Sequence, residues 1–125
     1  MNLAELRVGN YIRYANVLCT IENINGKHVE TNAVICPIES YNPIPLTNEW
    51  LFWFDFKVAD YEKRFQYYFY EGDVKYKNSI SVSIHDKFCR VNVINQEIRT
   101  IKYVHELQNL FYALTSEELK LQIPE

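Results

Sequence analysis

Cys89, His105 and Asn109 are the residues of this 125-residue chain whose types could do covalent chemistry together: a thiol nucleophile, a base and an orienting amide, the parts of a cysteine hydrolase. Their setting argues against it. Cys89 alternates with Val91 and Val93, the pattern of a thiol on the core face of a strand, where it is inert. His28 follows a turn signal and His85 opens a polar His-Asp-Lys stretch, so both read as solvated loop residues. There is no glycine-rich phosphate loop, no HExxH and no GxSxG, and Cys19, Cys36 and Cys89 are too scattered for a zinc cluster. The expectation is a non-catalytic chain with no cofactor and no metal, its cysteines unpaired and passive.

Binding chemistry has more material. Lys63, Arg64, Lys75 and Lys77 interleave with Tyr68, Tyr70 and Tyr76, the mixture from which single-strand stacking platforms are made. Against nucleic acid stand a net charge of -3 and the neighbouring Asp60, Glu62, Glu71 and Asp73. A nucleic-acid-binding accessory role through this Tyr/Lys face is therefore the alternative. The leading expectation is a protein-interaction module, because ten Tyr, seven Phe and two Trp exceed what a core of this size needs, and exposed aromatics are what interfaces use. No signal-peptide pattern follows Met1, and the longest apolar run, Trp50 to Phe54, is too short to span a bilayer, so a cytoplasmic location without membrane contact is expected.

The elements that must position these residues follow from periodicity. Val17, Cys19 and Ile21 alternate with Leu18, Thr20 and Glu22, Asn25-Gly26 signals a type I′ hairpin with both residues at positive φ, and short strands are expected over Lys27 to Thr31 and Ala33 to Cys36, ended by Pro37. Such a run suggests an SH3-like β-barrel over residues 1–46. Pro43 and Pro45 then force an extended connector, and Thr47 is a good N-cap for a short apolar helix over Thr47 to Phe54. Arg64 to Ile101 reads as an antiparallel meander with turns at Glu71-Gly72-Asp73 and Asn95-Gln96. Residues 47–125 are thus expected to be one subdomain: connecting helix, sheet, and a C-terminal helix packed on that sheet. The fold class is α+β.

The C-terminal helix is expected from Tyr103 to Leu114. On a wheel, Tyr103, Val104, Leu107, Leu110, Phe111 and Leu114 fall within about 120°, an inward face for the sheet. His105, Asn109 and Tyr112 lie within about 60° of one another on the opposite side. This outward stripe should meet either the N-terminal barrel or a partner. With Trp53, Tyr68, Tyr70 and Tyr76 it makes the candidate contact surface. Thr115-Ser116-Glu117-Glu118 resembles a capping box and predicts a further helical turn after a bend.

Three motifs, Leu6-Arg7-Val8-Gly9-Asn10, Asn42-Pro43-Ile44-Pro45-Leu46-Thr47-Asn48-Glu49-Trp50-Leu51 and Tyr103-Val104-His105-Glu106-Leu107-Gln108-Asn109-Leu110 onward to Leu119, resemble those of a family of small proteins from Bacteroidetes bacteria, their phages and prophages. The family patterns are LRxGN, xPIPLTEEWLLKFGF and YVHQLQNLYFALTGEEL. The resemblance implies the same two-part fold and a mobile-element origin, and it carries over no activity. This chain departs from the patterns at Trp53, where the family has Lys, and at Asp55 and Ser116, where it has Gly. The last two predict altered helix ends, since glycine there would take the left-handed conformation.

Overall fold

Alternation of apolar and polar side chains makes the first part of the chain a set of short strands, and the computed structural model, which describes residues 5–60, 67–70, 80–85, 87–93 and 96–121, pairs them into a four-stranded antiparallel sheet. Its strands β1 (Tyr11–Tyr14), β2 (Val17–Asn25), β3 (His28–Thr31) and β4 (Ile35–Pro37) follow in sequence order. Ala15 and Asn16, both at positive φ (47° and 68°), form the two-residue turn from β1 to β2, a right-handed-twist-compatible link. The second hairpin is shifted from expectation. Asn25 pairs with His28, so Gly26 and Lys27 are the turn, and only Gly26 has positive φ. A single glycine at the first central position suffices for this turn. Pro37 belongs to β4 rather than ending it, which an edge strand permits because the missing N–H faces no neighbour.

A bulge between Ile21 and Asn23 resets the inward phase from Cys19 and Ile21 to Ile24 and bends β2. The sheet therefore curls, and after a 3-10 turn at Ile38–Ser40 the backbone of Asn42 exchanges hydrogen bonds of 3.0 and 2.9 Å with Arg13 of β1. Leu6, Ile12, Cys19, Ile21, Val29, Ile38 and Tyr41 fill the interior. The Tyr41 hydroxyl donates to the Val29 carbonyl at 2.8 Å, which satisfies the one polar atom this ring brings inside.

The second sheet is an antiparallel meander of β5 (Phe56–Asp60), β6 (Tyr67–Tyr70), β7 (Ile80–Ile84), β8 (Cys89–Val93) and β9 (Gln96–Ile101). Helix α1 (Asn48–Trp53) precedes it, starting after Thr47 as expected, although the Thr47 side chain makes no capping hydrogen bond. Strand β5 was not expected, because Phe56 and Val58 alone give too short an alternation to register. The Glu71-Gly72-Asp73 turn and Asn95 lie outside the described residues, and Gln96 already pairs with Val93. Cys19 and Cys89 are buried and Cys36 is half-buried.

The larger correction concerns helix α2 (Val104–Thr115). It belongs with the N-terminal sheet: the chain divides into one unit of Met1–Pro45 with Tyr103–Glu118 and a second of Leu46–Lys102 with Leu119–Glu125. The division expected at residue 46 put this helix with the C-terminal sheet; the compact units put it with the N-terminal one. Backbone bonding starts the reassignment, since Val104 N–H donates to Ile44 C=O at 2.8 Å and Tyr103 bridges Pro45. Nor does a further helical turn form among the described residues after Thr115. The Thr115 hydroxyl instead donates to the Phe111 carbonyl at 2.8 Å and accepts from Glu117 N–H at 3.1 Å, closing the helix end on itself.

Asp55 and Ser116 have φ of 69° and 61°, the left-handed conformation that glycine takes without cost. Ser116→Gly should therefore stabilise the protein by about 1 kcal/mol, a rise of about 3–5 °C in Tm. Asp55→Gly should gain less, because aspartate tolerates this region better and here pairs with Lys57 at 3.5 Å. Thermal melts of both variants check this. Unchanged or lowered Tm for Ser116→Gly would refute the strain.

Candidate functional site

The polar residues of the first and last motifs meet. Leu6 enters the core while Arg7 N–H donates to Asn10 Oδ1 at 2.8 Å and Asn10 N–H returns to Arg7 C=O at 3.0 Å, folding the chain back on itself just before β1. Gly9, at φ 97°, makes this tight loop possible. Its N–H and the Asn10 C=O bond the backbone of Ile21 on β2 at 2.8 and 2.9 Å. The opposite edge of the same stretch, Gly9 C=O and Tyr11 N–H, faces α2.

Gln108 completes that edge. Its Oε1 accepts from Tyr11 N–H at 2.9 Å and its Nε2 donates to Gly9 C=O at 3.0 Å, so one carboxamide does what the peptide group of a neighbouring strand would do. At the next residue, Asn109 Oδ1 accepts from Asn10 Nδ2 at 2.7 Å and from Arg7 Nε at 3.1 Å, while its Nδ2 donates to Glu5 C=O at 2.6 Å. The Arg7 guanidinium forks onto the Glu118 carboxylate, Nη2 to Oε2 at 3.0 Å, and lies 4.4 Å from the centre of the Tyr112 ring. Burial, and secondarily the Glu118 charge, raises the Tyr11 phenol above its ordinary range.

The expected outward stripe of α2 is thus an internal joint of this unit. Asn109 and Tyr112 meet the Leu6–Asn10 loop, and Tyr112 keeps 42% exposure. His105 is 1% exposed, contrary to an outward position, and neither ring nitrogen has a hydrogen-bond partner. Its ring stacks on Tyr103, with centroids 5.9 Å apart and planes 8° apart. Burial lowers its basicity, partly offset by the Glu106 and Glu5 charges. A cysteine-hydrolase relay needs Asn109 on the imidazole, and here Asn109 spends its amide on Arg7, Asn10 and Glu5 instead.

Elsewhere, Trp53 is half-buried at the end of α1, its ring edge-on to the buried Trp50 at 5.2 Å, beside Phe52 at 45% exposure. The backbone of Tyr68 and Tyr70 lies in β6, opposite Val58 and Phe56 of β5. Tyr76, Lys63, Arg64, Lys75 and Lys77 lie outside the described residues. One pair escaped the sequence reading: Ser83 Oγ is 3.0 Å from His85 Nε2, and His85 stacks on Phe88 with centroids 4.9 Å apart. The spacing of two at the end of β7 could have signalled it. Ser83 is 1% exposed, which keeps a substrate from its hydroxyl, so the pair anchors the β7–β8 hairpin.

Among the described residues no three His, Cys, Asp or Glu side chains converge as a metal site, and no helix is long and apolar enough to cross a membrane. No family model, no curated protein and no solved structure matches this chain.

Proposed function

We propose that this protein is a non-catalytic protein-interaction module of a phage or other mobile element, acting in the cytoplasm and built on an SH3-like barrel. The observation that carries the reading is the aromatic end of α1. Phe52 is 45% exposed, and the adjacent Trp53 is held at a fixed angle by Trp50, so part of an indole is offered to solvent in a preorganised position. The family patterns have Lys where this chain has Trp53, so the ring is an addition to the shared fold. The barrel assignment is supported by the curl of β1–β4 and the return of Asn42 to β1 through a 3-10 turn. The mobile-element origin rests on the resemblance of the three motifs.

Affinity capture from the native host, read by mass spectrometry with a nuclease-treated parallel, tests this. A protein partner should survive nuclease and be weakened at least about tenfold by Phe52→Ser with Tm unchanged, since hot-spot aromatics contribute about 2 kcal/mol or more. Loss of all partners on nuclease treatment would replace this reading with the nucleic-acid one.

A further inference from the structure

Among the described residues, His105 is the one whose buried side-chain polar atoms are left without hydrogen-bond partners. A neutral imidazole carries a donor and an acceptor, and both ring nitrogens of His105 are buried without partners. Burying them without protein partners costs free energy, and the stacking on Tyr103 would be supplied equally by a phenyl ring. What distinguishes the imidazole at this place is the proton it can take up. It also stands in the first turn of α2, where the positive end of the helix dipole opposes a cation.

We propose that His105 is an acid-release latch: protonation of its ring frees α2 from the N-terminal sheet, breaking the Gln108 and Asn109 bonds and opening the Gly9–Tyr11 edge. The charged groups around the ring do not prevent this. Glu106, on the same helix, is committed to Tyr103 N–H at 3.1 Å; Glu5 comes from the N-terminal segment, and neither is hydrogen-bonded to the ring. The amino-terminal charge acts against protonation.

The sign follows from which state holds the proton. Released and solvated, the ring titrates near the ordinary histidine value of about 6.5; docked, burial pushes it lower. Between the two values the released state binds more protons, so docking is at full strength above about pH 6.5 and weakens as pH falls, by up to about tenfold in the docked-to-released ratio per pH unit.

The test is amide exchange at Tyr11 and Leu107 of the full chain from pH 7.5 to 5.0, corrected for intrinsic rates, in wild type and His105→Phe, with the histidine ring protons followed by NMR. The wild-type opening constant should rise about tenfold or more while His105→Phe stays flat, and the His105 ring should titrate below the ordinary histidine value. Equal pH dependence in both proteins would overturn the latch. So would a His105 ring that titrates at the ordinary value with Tyr11 still protected, a result readable in wild type alone should the variant not fold.

Discussion

Phe111→Ala is expected to cost about 3–5 kcal/mol of stability, and Leu114→Ala less than about 1 kcal/mol, although both residues belong to the apolar arc of the same helix. The difference comes from where α2 is buried. Phe111 and Leu107 are each 1% exposed, whereas Leu114 is 43% exposed and Leu110 half-buried. The buried arc runs from Leu107 through Phe111, Val104, Thr115 and Gln108 to His105, and its centre is rotated about 80° from that of the apolar arc. Leu110→Ala, expected from the wheel alone to be a core truncation, should fall between the two. Urea denaturation followed by circular dichroism decides it. Equal costs at Leu114 and Phe111 would mean that the helix is seated on its apolar arc after all.

That rotation marks the boundary of what was legible in the sequence. Strands β2 to β4 and β6 to β9 were readable because their side chains alternate over enough residues, and α1 because Pro45 and Thr47 bracket its start. The left-handed ends at Asp55 and Ser116 were readable from the glycines that the motif patterns hold there. The seating of α2 was not. Hydrophobic periodicity locates a helix face by residue type, so Gln108 and His105 fell outside the inward arc, and nothing periodic encodes that a carboxamide at 108 will meet a backbone edge at residues 9 and 11. The motifs themselves held the clue in their unusual density of Arg, Asn and Gln. Their side chains are spent on each other across about a hundred residues of chain, and so they explain assembly of this unit without implying reactivity.

The second large effect belongs to Gln108, and it measures that assembly directly. Gln108→Met keeps the length and much of the volume of the side chain while removing both of its hydrogen bonds, so it isolates their contribution from cavity formation. Tyr11 N–H and Gly9 C=O would then be left without their partners at a position where Gln108 is 1% exposed. Each unsatisfied buried group costs about 1–3 kcal/mol, and partial relaxation of the Gly9 loop should hold the pair to about 2–4 kcal/mol. Asn109→Ala should cost less, because Asn109 is half-buried and water can replace part of what it gives Arg7, Asn10 and Glu5. Glu118→Gln, which weakens an ion pair at the surface, should cost about 0–1 kcal/mol. Amide exchange separates loss of this joint from general loosening. In Gln108→Met the Tyr11 amide should exchange faster relative to Ile21, whose N–H is held by the Asn10 carbonyl on the other edge of the same stretch. A Tyr11 amide that stays as protected as in wild type, together with unchanged stability, would show that the carboxamide is not what holds α2 to the sheet.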